Sequence, residues 1–216
     1  VSLLIDSVAL WYADTNSYVV AASAGGLAVV IDAPPDPEAL GALCRRHRLI
    51  PVALLLTHGH VDHMGGAGSF VRGRAITTYV HPDDDFLTLR PETQLQMLFG
   101  MMPPGDYAPP EHRSALKDGQ LLDLAGLSME VLHTPGHTPG HCCFYLAREG
   151  VLFSGDQLFA GSIGRTDLPG GSLAQLMQSM RDKVLPLSDG VRVLPGHGPE
   201  STIGRERRLN PFLAWE

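Results

Sequence analysis

Thr57-His58-Gly59-His60-Val61-Asp62-His63 is the stretch on which the reading of this chain turns. It follows the apolar run Val52-Ala53-Leu54-Leu55-Leu56, so three imidazoles and a carboxylate crowd the end of an expected strand, where they are costly without a partner. His58 and His60 alternate, and alternate side chains of an extended segment share a side, while Asp62 and His63 lie beyond a short turn and can face a second position. Single candidates follow three later apolar segments: His137 after Val131 to Gly136, Asp156 after Val151 to Gly155, and His197 after Val191 to Gly196. Glycine directly before each of them permits a tight turn and leaves room for an ion. Strand-ending turns alone would account for the glycines but not for a ligand type after each one. The pattern predicts two cation positions, one taking His58, His60 and His137, the other Asp62, His63 and His197, with the two oxygens of Asp156 bridging them. Imidazole mixed with carboxylate suits two zinc ions, and iron or manganese would also fit.

Outward from that segment, strand patterns recur at 27–32, 52–57, 75–80, 127–132, 142–146, 151–154 and 191–194. Helical patterns fit at 37–47, 82–99 and 173–184, the first opening on Asp36-Pro37 as cap and first helical residue. Mixed α/β content with apolar strand runs calls for layered sheets covered by helices. The length, 216 residues, predicts one domain over 1–216 rather than two. The stretch 100–113, with Met101-Met102-Pro103-Pro104-Gly105 and Pro109-Pro110, cannot be a continuous helix. With Met97, Leu98 and Phe99 before it, 97–113 reads either as an adaptable apolar wall over the site or as ordinary packing or a subunit contact.

The formal charge of -7 argues against general attraction to nucleic acid or an anionic membrane, and no apolar run is long enough to span a bilayer. Two dications would offset about four of those charges and leave a locally positive cleft suited to an anionic substrate. Three cysteines, with Cys142 and Cys143 adjacent, give no disulfide framework and fit a reducing cytoplasm. The segment Val1 to Asp6 carries no secretory pattern, and a homo-oligomer is compatible with everything above.

The set His58-x-His60-x-Asp62-His63 with His137, Asp156 and His197 resembles the complete motif set of the metallo-β-lactamase superfamily. Leu152 to Phe159, Gly161 to Asp167, Leu168 to Gly171 and Pro195 to Pro199 further resemble its small glyoxalase II-like branch. The resemblance implies an αββα sandwich of two mixed sheets covered by helices, with metals at one edge. It also implies a hydrolase of 2-hydroxyacyl thioesters such as S-lactoylglutathione, working through a metal-bridging hydroxide. Asp62 would orient that hydroxide and Asp156 would hold the metals. Full-length glyoxalase II enzymes grip glutathione with a further C-terminal helical region, so the resemblance does not imply specificity for glutathione, and an analogue built on another low-molecular-weight thiol is an equal expectation. With Lys117 and Lys183 the only lysines, Arg165, Arg205, Arg207 and Arg208 are the cations left to grip an acidic carrier; Arg165 is the candidate substrate contact, or else a structural partner of Asp167. β-Lactam hydrolysis is disfavoured because true β-lactamases of the family generally lack an aspartate at the Asp156 position. The alternative is a persulfide dioxygenase with one iron on His58, His137 and Asp156, a branch that shares a stretch like Gly164 to Asp167. Phosphodiester or RNA cleavage fits the acidic balance poorly.

Overall fold

Successive residues of a strand point to opposite faces, and here both faces are buried. Val19 and Ala21 pack into one apolar cluster, and their neighbours Tyr18 and Val20 into another. A strand apolar on both sides needs cover on both, which is the physical origin of the layers. The computed structural model describes residues 3–214, the side chain of Phe99 excepted.

An antiparallel meander opens the chain: β1 (Leu4–Leu10), β2 (Thr15–Ala21) and β3 (Leu27–Ile31). Helix α1 (Pro37–Arg46), capped by the Asp36 carboxylate on the Ala39 amide, crosses to β4 (Ile50–Leu55), parallel to β3. Short helices α2 (Val61–Met64) and α3 (Ala67–Val71) lead to β5 (Thr77–Val80). Helices α4 (Asp85–Thr88) and α5 (Glu92–Phe99) lead to β6 (Arg113–Ala115). These six strands form one mixed sheet in sequence order. A second meander follows in β7 (Leu121–Leu124), β8 (Leu127–His133), β9 (Cys142–Leu146) and β10 (Val151–Gly155). After the small hairpin of β11 (Leu158–Phe159) and β12 (Ser162–Ile163), helix α6 (Leu173–Ser179) returns the chain to β13 (Arg192–Pro195), parallel to β10. Strand β14 (Ser201–Thr202) and helix α7 (Ile203–Leu209) complete a second mixed sheet ordered β14-β13-β10-β9-β8-β7.

The sheets face each other across Tyr18, Val20, Ile31, Leu55, Phe144 and Phe153. On the far side of the first sheet Val30 and Leu54 meet Leu40, Leu43 and Phe70 of α1 and α3. Leu152 and Val193 of the second sheet meet Leu176 and Ile203 of α6 and α7. The result is the expected αββα sandwich. Among the described residues no helix is long and apolar enough to cross a membrane.

Two expected helices differ in the structure. The stretch 82–99 is a 3-10 turn at Pro82–Asp84, then α4, then α5, because Pro91 lacks an amide proton and its ring disfavours helical backbone at Arg90. The stretch 173–184 is α6 continued by a wider π turn over Met180–Val184. Strand β4 stops at Leu55, short of the expected 57, and the Thr57 amide donates to the Asp32 carboxylate, not to a neighbouring strand.

Candidate metal centre

Asp32 lies just beyond β3 with φ 59°, a left-handed conformation that an aspartate tolerates better than most residues. It ties the end of β4 in place. Oδ1 accepts the Thr57 amide at 2.8 Å, and Oδ2 accepts the Thr57 hydroxyl at 2.8 Å and His63 Nδ1 at 2.7 Å. With its proton spent on Asp32, the Thr57 oxygen is left to accept from His58 Nδ1, 3.0 Å away. Both His58 and His63 are thereby fixed with the proton on Nδ1 and a bare Nε2. His137 and His197 follow the same rule: their Nδ1 atoms donate to the carbonyls of Arg165 (2.7 Å) and Ala13 (3.1 Å).

The candidate donor nitrogens converge. His58 Nε2, His60 Nδ1 and His137 Nε2 form a triangle with sides of 3.1, 2.8 and 3.2 Å. Beside it His63 Nε2 and His197 Nε2 stand 3.2 Å apart, and Asp62 Oδ2 is 3.5 and 3.3 Å from them. Asp156 lies between, with Oδ1 3.3 Å from His63 Nε2 and Oδ2 3.5 Å from His137 Nε2. Oδ1 is buried and has no hydrogen-bond partner among the described residues.

Lone pairs facing each other at such distances repel unless a proton or cation sits among them. Additional protons are disfavoured on two members of the first triangle. Burial and the neighbouring imidazoles hold the pKa of His58 well below the usual value and that of His60 down at about 3. A tetrahedral zinc–nitrogen site with bonds of about 2.0–2.1 Å has edges of roughly 3.3 Å, close to the spacing seen here. Around the second triad the demand for positive charge shows in the titrations. Burial opposes protonation of His63, yet Asp156, Asp62 and Asp32 outweigh it and hold its pKa well above normal. Burial likewise opposes ionisation of Asp62 and Asp156, and the facing histidines hold both carboxyls below the usual range. The donors thus fit two cations sharing Asp156.

Three further residues hold this arrangement. Buried Asp84 accepts from the Gly59 amide (2.7 Å), the Thr138 hydroxyl (2.7 Å) and the Gly140 amide (2.6 Å), joining the loops that carry His58 and His137. Gln94 of α5 accepts the Val61 amide at 3.1 Å and donates to the Gly59 and Leu87 carbonyls at 2.9 and 3.0 Å. His141 accepts the Asp156 amide on Nε2 at 3.0 Å. Of the two histidines flanking His137, then, His141 supports the site. His133 turns away, stacked on His81 at 3.9 Å and bonded to the Pro139 carbonyl. Neither Asp84 nor Gln94 carries a sequence signal, because each acts on backbone atoms of a distant loop. Tight backbone approach explains Gly196, where a Cβ would overlap the Asp156 carboxylate and lie 2.6 Å from His63 Cε1. Gly155, at φ 49°, leaves no room either, with His141 Nε2 2.7 Å from a Cβ.

The donors open into a cleft of about 390 Å³ that Leu98, Phe159, Ile163, Arg165 and Leu168 also line. Arg165 contributes twice. Its carbonyl orients His137, and its guanidinium pairs in bidentate fashion with Asp167 at 2.7 and 2.6 Å, both side chains being exposed. The stretch 97–113 divides between its two expected roles. Met97 and Leu98 wall a cavity beside the donors, whereas Ala108 packs on the core, exchanging backbone hydrogen bonds with Gly65 and Gly68. The Phe99 side chain lies outside the described residues.

A family profile described as metallo-β-lactamase superfamily matches residues 12–197. An uncharacterised protein of Mycobacterium leprae is 44% identical over 210 residues, covering 92% of this chain and 93% of its own. The hydroxyacylglutathione hydrolase GloC of Haemophilus influenzae is 39% identical over 186 residues, covering 86% of this chain and 87% of its own. Among solved structures, the BLEG-1 B3 metallo-β-lactamase superposes with a TM-score of 0.89 at 38% identity, over 98% of this chain and 100% of that one. The di-iron-bound form of TTHA1623 gives 0.86 at 40% identity, over 96% and 100%.

Proposed function

The chain belongs to the metallo-β-lactamase superfamily, and on that footing we propose that it is a two-cation hydrolase of small anionic thioesters, of the 2-hydroxyacyl, S-lactoylglutathione-like kind. The observation that carries this reading is the Asp156 carboxylate, set between two donor triads with a buried oxygen that has no hydrogen-bond partner among the described residues. Similarity to GloC supports the thioester. Bound divalent cations supply Lewis acidity, lowering the pKa of a water from 15.7 to about 7 and stabilising negative charge on the acyl oxygen.

The chain's own residues do the rest. His58, His60 and His137 would hold one ion and Asp62, His63 and His197 the other, with Asp156 shared. Asp62 Oδ2, itself held by the Thr15 hydroxyl at 3.2 Å, is the carboxylate oxygen positioned to orient a nucleophilic water at the second triad. The carbonyls of Arg165 and Ala13 and the Asp32 carboxylate hold the Nδ1 protons of His137, His197 and His63, which leaves their Nε2 atoms turned toward the ions. Because thiols have a pKa near 8.5, the leaving group departs as thiolate without a strong acid, and the buried wall of the cleft needs to provide none. Arg165 is the one cation lining the cleft among the described residues, and it would meet an anionic thiol carrier with its charge shared by Asp167.

The competing mononuclear iron dioxygenase uses only the first triad's side of the site, and the equally complete second triad favours hydrolysis over it. Similarity to a protein called a B3 metallo-β-lactamase makes a β-lactam the second comparison substrate. Zinc- or iron-loaded protein is expected to hydrolyse S-lactoylglutathione or a related thioester without consuming oxygen. Oxygen uptake with glutathione persulfide, or efficient turnover of a β-lactam with none of any thioester, would overturn the proposal.

A further inference from the structure

Beside the main cleft lies a second, smaller chamber of about 120 Å³, and the two share His60, Leu98 and Leu168. It opens at His60, one of the donors of the first triad. Phe86, Leu87, Met97, Leu98, Leu168 and Pro169 supply its apolar wall. Two polar residues also border it, and both are already engaged. The Gln94 amide is bonded to Val61, Gly59 and Leu87, and the Thr93 hydroxyl donates to the Arg90 carbonyl at 2.8 Å. Around the mouth, Phe86 and Met97 remain 52% and 59% exposed, so an apolar occupant would remove from water surface that the fold itself leaves uncovered.

Resting on the thioesterase reading, we infer that this chamber receives the acyl chain, and that the preferred acyl group is an apolar one longer than lactoyl, of about five or six carbons. The two arms of the cleft differ in chemistry. The arm past Phe159 and Ile163 carries Arg165 and suits the anionic thiol carrier, which leaves the apolar arm at His60 for the acyl chain. Size sets the length: an apolar cavity of about 150 Å³ holds a benzene, so the chamber takes roughly four carbon atoms beyond the carbonyl and C2. Each methylene buried there is expected to raise affinity about fourfold.

The test is calorimetric binding of a 2-hydroxycarboxylate series, lactate to 2-hydroxyhexanoate, to the metal-loaded protein, alongside hydrolysis of the matching glutathione thioesters. All members present the same chelating head, so differences report the chain alone. We expect 2-hydroxyhexanoate to bind at least about tenfold more tightly than lactate, and kcat/KM to rise in the same order. Met97→Trp, a change at an exposed position, should fill the chamber and bring the ratio of the two affinities close to one. Leu98→Ala should move the optimum to longer chains. Chain-dependent binding that Met97→Trp removes, with no thioester turned over, would uphold the chamber and overturn the thioesterase reading. Thioester turnover with flat binding along the series, lactoyl serving as well as 2-hydroxyhexanoyl, would overturn the chamber and leave the hydrolase standing.

Discussion

Asp156 lies between the two triads, its Oδ1 3.3 Å from His63 Nε2 and its Oδ2 3.5 Å from His137 Nε2 and 3.6 Å from His197 Nε2. Asp156→Ala should abolish turnover and reduce metal content below two per chain, and full activity with two bound ions in that variant would refute the bridging role. Asp32 acts through its neighbours. Removing a carboxylate that fixes the tautomer of a ligating histidine costs about 10–100-fold in metal affinity, and Asp32→Ala should show such a loss in competition with a chelating dye. Unchanged affinity would mean that the His63–Asp32 contact is structural only. The donors themselves were legible in the sequence because each is a ligand-type residue beyond an apolar run, four of them in one short motif and three directly after a glycine. Asp84 was not. Its partners Gly59 and Gly140 lie 25 and 56 residues away and are backbone amides, which no residue type announces. Arg165 was legible only as a charge. That its carbonyl, and not its guanidinium, holds His137 depends on a backbone path that the side chain does not encode.

At the scale of elements, strands such as β3, β4, β9 and β10 could be read because an apolar run admits few other interpretations, whereas β1 and β2 could not. The beginning of β2 is polar for a reason that belongs to the site: Thr15 donates to Asp62, Asn16 to the carbonyls of Pro195 and Gly198, and Ser17 to the carbonyls of Ile31 and Asp32. Buried polar residues serving another loop erase the alternation that would announce a strand. Helix α5 shows a second consequence of remote contacts. Its Gln94 reaches out of the helix to fasten the loop between His58 and Val61. Gln94→Ala leaves three buried backbone groups without their partner, and each such group costs about 1–3 kcal/mol if nothing replaces it. The thermal midpoint should fall by about 2–4 °C for each kcal/mol lost, and metal affinity should weaken with it. A variant with an unchanged midpoint would show that the loop holds its shape without α5.

In the whole molecule the candidate centre draws on both sheets. The loop after β4 brings His58, His60, Asp62 and His63 from the first, while loops after β8, β10 and β13 bring His137, Asp156 and His197 from the second. The sheets are also sewn together at this edge, where the Asn16 amide donates to the Gly196 carbonyl at 2.7 Å and the Tyr18 hydroxyl to that of Pro195 at 2.7 Å. Cations held between the sheets would therefore bind the folded chain and not the unfolded one, and would stabilise it by about 2.7 kcal/mol at a free concentration one hundred times the dissociation constant. Chelation should lower the thermal midpoint by several degrees and zinc or iron should restore it, whereas a midpoint indifferent to chelator would argue that no ion bridges the layers. The most direct test of the two-cation centre is elemental mass spectrometry of protein purified without added metal or chelator, beside its Asp156→Ala variant. Two ions per chain in the parent and one or fewer in the variant is the predicted result. A single iron per chain in the parent, unchanged in the variant, would contradict it.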